Sequence, residues 1–244
     1  EIGVRLVGSE MCIRDRNRGE AETEMKKLYA IYTVNNFMDM IYRPFGQELE
    51  RNHPDVKVYN IMDDSLLVDT RTYNGMTPTI ASRMLNYAKA AENSGADGVI
   101  VTCTSVNAAT KMIRPLLNIP IINIEEPVAE MAVEKGKKIG ILATLPTSPA
   151  AIGRVIQEKA DQQHKEIEIV NRVVDGAFDV YCEGDIARHD EMVREELYRL
   201  AEEVDVIAFA QVSMSKVEFD ADKVKVPVCM IGTSGFERIY SMMK

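Results

Sequence analysis

The residues best suited to chemistry are Cys103-Thr104-Ser105, a thiol and two hydroxyls just after the apolar run Gly98-Val99-Ile100-Val101. A thiol at the turn between a buried strand and a helix start is acidified, because the positive end of the helix dipole favours thiolate. Such a thiolate can remove or return a proton at a carbon next to a carboxylate, or attack an electrophile. The hydroxyls and the free backbone N–H groups beside it suit a carboxylate or phosphate. A second stretch has the same build and different chemistry. Gln211-Val212-Ser213 comes just after Val206-Ile207-Ala208-Phe209, with an amide where the first stretch has its thiol. An amide donates and accepts hydrogen bonds but gives up no proton near neutral pH.

These two stretches belong to a longer repeat. Lys26–Thr33 matches Lys137–Thr144 and Val56–Asn60 matches Ile167–Asn171, both at an offset of 111 residues. Asp97–Ser105 lies over Asp205–Ser213 at an offset of 108, and Asn118–Ile122 over Lys225–Cys229 at 107. The repeated segments are short runs rich in Ile and Val, as in strands covered by helices on both faces. Between them lie helical stripes, Ile80, Met84, Tyr87, Ala88 and Ala91 in one half and Val193, Leu197, Leu200, Ala201 and Val204 in the other. Thr77-Pro78 and Ser148-Pro149 each read as an N-cap followed by proline at the first helical position. Each half therefore reads strand, helix, strand, helix, strand, helix, strand.

Alternation of this kind predicts an α/β fold with two pseudo-symmetric lobes, each a four-stranded parallel sheet flanked by helices. Lobe one is expected over residues 25–123 plus the last helix at 232–244, and lobe two over 124–231. In parallel sheets ordered 2-1-3-4 a ligand binds past the carboxyl ends of the first and third strands. That rule places Thr33, Asn35, Cys103, Thr104 and Ser105 from lobe one, with Thr144, Thr147, Gln211 and Ser213 from lobe two, around a site between the lobes.

Residues 1–24 stand outside the repeat. The run Leu6–Arg16 resembles translated sequencing-adapter sequence, so this stretch is read as a non-native or disordered tail and Met25 as the true start. The whole chain carries 29 Lys and Arg against 38 Asp and Glu, a net charge of −9, and has no Trp. An acidic surface with few aromatics argues against nucleic-acid binding. No apolar run approaches the roughly 20 residues of a membrane span. Cysteines without pairing or metal-ligand spacing point to free thiols and a cytoplasmic location, and no metal site is predicted. No Gly-x-Gly-x-x-Gly or Walker pattern occurs, so nucleotide cofactors have no support.

The doubled lobe, the strand–Cys103-Thr104-Ser105–helix unit and the Ala143-Thr144-Leu145-Pro146-Thr147 turn resemble the aspartate/glutamate/hydantoin racemase superfamily, over essentially residues 25–244. In racemases of that superfamily two thiols, one per lobe, face opposite sides of the substrate α-carbon, and no metal or pyridoxal cofactor is used. The resemblance implies a cofactor-independent isomerase, with Cys103 as the first thiol and Thr104 and Ser105 holding the substrate carboxylate. Gln211 departs from the pattern at the second thiol. The alternatives are a single-thiol decarboxylase or cis–trans isomerase of a small carboxylic acid, or a non-catalytic ligand-binding relative. Single-cysteine decarboxylases resembling this fold keep their thiol in the other lobe, so that assignment does not transfer cleanly to Cys103. The expected partner is a small carboxylate such as an amino acid, and the resemblance adds a homodimer. Cys182 and His189 are candidates for a second acid–base group. Cys229 reads as core, His53 and His164 as solvated, and the pairs Glu125-Glu126, Glu195-Glu196 and Glu202-Glu203 as solvent-facing.

Overall fold

The computed structural model describes residues 25–146 and 148–244; the tail at 1–24 and Thr147 lie outside the described residues. Lobe one begins with β1 (Lys26–Tyr32), followed by a π-helix (Met38–Gly46), α1 (Gln47–Asn52) and β2 (Val56–Met62). It continues through α2 (Ser65–Thr72), α3 (Pro78–Asn93), β3 (Gly98–Val101), α4 (Asn107–Ile113) and β4 (Ile121–Asn123). Then come α5 (Glu126–Lys135), β5 (Lys138–Ala143), α6 (Ser148–Gln162) and β6 (Glu168–Val173). The chain ends with α7 (Ala177–Cys182), α8 (Ile186–Ala201), β7 (Val206–Phe209), β8 (Val228–Cys229) and α9 (Thr233–Met242). There are two four-stranded sheets, ordered β2-β1-β3-β4 and β6-β5-β7-β8, with every pairing parallel.

The register of the strands reproduces the repeat seen in the sequence. Ile31 pairs with Val101 in one sheet and Leu142 with Phe209 in the other, which are the same positions displaced by 111 and 108 residues. Cys103 and Gln211 therefore sit two residues past equivalent strand ends. The opposite ends are pinned alike: the Asp97 carboxylate accepts from the Lys27 N–H at 2.7 Å, and the Asp205 carboxylate from the Lys138 N–H at 2.8 Å.

Strand periodicity sorts the core into three parts. Successive side chains of a strand point to opposite faces, so Leu28, Ala30 and Tyr32 of β1 join Ile139, Ile141 and Ala143 of β5 in one cluster spanning both sheets. Ile31 turns outward into a cluster with Ile80, Met84, Ala88 and Ala91 of α3, the predicted stripe. Leu142 turns outward onto Val193, Leu197 and Leu200 of α8. The two sheets thus share an inner core. α9 packs back on β3, where a Cβ on Gly98 would come within 3.0–3.2 Å of Met243 and Ile239.

Three expectations need revision. Thr77 does cap α3, accepting from the Ile80 N–H at 3.3 Å, but Ser148 is already the first residue of α6. The segment after β1 is a π-helix, and Pro44 within it has no N–H to donate. After β7, lobe two has only a single 3₁₀ turn, Val212–Met214, where lobe one has α4.

Candidate active site

A cavity of about 750 Å³ opens between the two sets of strand ends. From lobe one it is lined by Thr33, Cys103, Thr104 and Ser105, and from lobe two by Gln211 and Ser213, all six from the predicted set. Asn35 is exposed and does not line it, because the chain turns away into the π-helix, whose Met40 and Ile41 take that wall instead. Thr144 is buried behind the wall, and its N–H donates to the Gln211 Oε1 at 2.8 Å.

That last bond orients the amide opposite the thiol. With Oε1 occupied by the Thr144 N–H, the Gln211 Nε2 is left as a free donor, and it has no partner among the described residues. The hydroxyls of Thr33 and Ser213 are likewise buried and unpartnered. Buried polar atoms are nearly always hydrogen-bonded. All three belong to residues that line one cavity. Cys103 is partly exposed, with one side against the outer core of lobe one, and initiates the 3₁₀ turn Thr104–Val106 that leads into α4.

Two residues that were missed in the sequence supply charge. Arg71 of α2 and Arg154 of α6 line the cavity from opposite lobes, and neither makes an ion pair with another described residue. Their signal was too ordinary to single out: arginines on polar helix faces. α2 is itself braced. Burial pushes the Asp63 carboxyl up, but hydrogen bonds from Ser65, Tyr87 and Arg83 outweigh it and hold it down at about 2. Arg83 also reaches Asp69 at 2.6 Å, so α2 is tied to α3. Apolar side chains from both lobes, including Leu67, Ile124, Leu145 and Phe178, form much of the remaining wall.

Neither candidate for a second acid–base group is placed to serve. His189 is wholly buried in α8, its Nδ1 2.7 Å from Asp190 and its ring edge-on to Tyr181, and it does not line the cavity. The amphipathic period of α8 turns it inward, on the same face as Val193, Leu197 and Leu200. Cys182 ends α7 exposed and outside the lining, its thiol pushed up by burial and by Asp179 and drawn back by Arg71. Cys229 is buried, as expected, and its thiol is pushed up to about 11, chiefly by burial. Among the described residues lining the cavity, Cys103, Arg71 and Arg154 are the only ones with ionisable side chains. Arginine stays protonated in proteins, which leaves the thiol as the group in this lining suited to proton transfer. No cluster of three or more His, Cys, Asp or Glu among the described residues could hold a metal ion. No described helix is long and apolar enough to cross a membrane.

Two parallel-sheet lobes with a thiol-bearing cleft at their strand ends define a doubled α/β enzyme class. The family model described as Asp/Glu/Hydantoin racemase matches residues 41–237, and the chain belongs to that family. The aspartate racemase of Picrophilus torridus has a similar fold, with TM-score 0.65 at 15% identity over 88% of this chain and 93% of that one. Allantoin racemase from Klebsiella pneumoniae gives 0.62 at 16% identity, over 88% and 86% of the two chains. A Gly74Cys mutant of arylmalonate decarboxylase gives 0.59 at 14% identity, over 88% and 92%. Family and fold make the chain an enzyme of the racemase and isomerase group, and the residue at Gln211 bears on which reaction it runs.

Proposed function

We propose that the chain is a cofactor-independent enzyme that moves a proton at a carbon next to a carboxylate, with Cys103 serving one face of that carbon alone. The observation that carries this reading is the pairing of Cys103 with Gln211 at equivalent strand ends around one cavity. Racemisation by two thiols needs a proton carrier on each face, and the far face has an amide. One-faced chemistry needs a single carrier. In decarboxylation the bond from the α-carbon to a carboxylate breaks, carbon dioxide leaves, and the electron pair stays on the α-carbon as an enediolate. The Cys103 S–H then gives its proton to that carbon, and solvent reprotonates the thiolate. Gln211 Nε2, with the Thr33 and Ser213 hydroxyls, can donate to the enediolate oxygens as their charge builds. Arg71 and Arg154 supply charged donors for the substrate carboxylates. The apolar wall suits an α-substituent without charge.

The test is a screen in deuterium oxide of α-substituted malonates and of single-enantiomer amino acids. One-faced chemistry yields a monocarboxylate with one deuterium in one configuration, and Cys103→Ser lowers the rate by about a thousandfold or more. An amino acid recovered racemised, with deuterium in both configurations, would overturn the one-faced reading and return the chain to two-base racemisation.

A further inference from the structure

Behind the cavity wall lies a buried carboxyl group that the chemistry above does not use. Glu125 follows β4, beside the cavity-lining Ile124, and is wholly inaccessible to solvent, where a solvent-facing pair with Glu126 was expected. Its Oε1 accepts from the Asn107 side-chain amide at 3.0 Å, and its Oε2 has no partner among the described residues. Asn107 is the first residue of α4, immediately after the turn that starts at Cys103. The Asn123 side chain holds the Asn107 carbonyl from the other side at 3.3 Å.

We propose that Glu125 is a positioning residue, whose buried carboxyl clamps Asn107 and thereby sets where the Cys103 turn presents its thiol; its functional meaning rests on the Cys103 reading. Burial first, and the Glu126 charge after it, pushes the carboxyl up to about 7 despite the Asn107 bond. Among the described residues, the one charge that acts appreciably on Glu125 is that of Glu126. Lys111 of α4 pairs with Glu158 of α6, Arg114 after α4 pairs with Glu126, and Arg238 of α9 pairs with Glu130 of α5. An ionised Glu125 would be a buried charge held by Asn107 alone, which is costly, so opening of the segment to water becomes easier as pH rises from about 4.5 towards 7.

Hydrogen exchange of the 102–111 segment between pH 5 and 8 tests this in the intact protein, with iodoacetamide alkylation of Cys103 mapped by peptide in parallel. Between pH 5 and 7 the wild-type segment should outrun the intrinsic base-catalysed rise, by up to about tenfold per pH unit, and should run parallel to it above pH 7, where Glu125 is ionised in both open and closed states. Glu125→Gln, neutral throughout and still an acceptor for Asn107, should abolish that excess. Parallel profiles in the two proteins overturn the proposal, and so does a wild-type segment without excess, which decides the matter even if the variant does not fold. Exchange is read without substrate, so a finding that Cys103 is not catalytic would sink the function and leave this inference standing.

Discussion

The turns after β3 and β7 are built on the same frame and do different work. Both leave the third strand of a 2-1-3-4 sheet, both begin with extended backbone at residues 103 and 211, and both run into a 3₁₀ turn. The first continues into α4, whose start is clamped by Glu125 and Asn123. The second has no helix, and its leading side chain is steadied by one backbone donor, the Thr144 N–H. The doubled frame sets equivalent places where side chains can meet a ligand, and the residues at those places, Cys103 and Gln211, differ in chemistry.

Breaking the contrast at its reactive side should have the largest effect. Cys103→Ser is expected to abolish turnover, by about a thousandfold or more, while circular dichroism and thermal melting stay near wild type. Restoring symmetry should sharpen it: Gln211→Cys places a thiol on the second face and should introduce deuterium into both configurations of product or substrate. That variant also leaves the Thr144 N–H without its acceptor, at a stability cost of about 1–3 kcal/mol measurable by denaturant titration. Arg71→Ala and Arg154→Ala should each raise KM by about tenfold on the substrate found in deuterium oxide, with smaller changes in kcat. If either changes neither constant, that arginine does not hold the substrate.

The clamp on the Cys103 side makes a stability prediction with a definite sign. Glu125 in the folded chain holds its proton up to about 7, above the ordinary 4.5. The folded state therefore binds more protons than the unfolded one between those values. The stabilisation is complete below about pH 4.5 and is lost as pH rises towards 7, by on the order of 3 kcal/mol at most. Urea unfolding at pH 5 and pH 7.5 should show that drop in wild type and a flatter line in Glu125→Gln. The smallest effect is expected at Asp63, held at about 2. Its contribution is present above the ordinary carboxylate range and lost as pH falls towards 2, so Asp63→Asn should matter at neutral pH and little in acid.

Much of the frame was legible in the sequence because strand patterns are local. Short apolar runs repeated at offsets of 111, 108 and 107 residues announced two sheets, and hydrogen-bonded pairing carries the same offsets. Equivalence of Cys103 and Gln211 followed from that register. Asn35 was misplaced because a π-helix interrupts the simple strand-to-helix turn, and the signal available was Pro44 in an otherwise helical stretch. Glu125 was misread as exposed because it sits beside Glu126, and burial of a single polar side chain depends on which face of an element meets the core.

By itself, then, the chain's order of residues determined the doubled α/β frame, the strand register and the unlike residues at its two strand ends, since each depends on neighbours a few positions apart. Tertiary structure alone decided that Arg71 and Arg154, one from each lobe, meet across one cavity, that Cys182 and His189 stay out of it, and that Glu125 lies sealed behind it. Those outcomes depend on how helices rotate and how two sheets are set against a shared core, which no local spacing encodes.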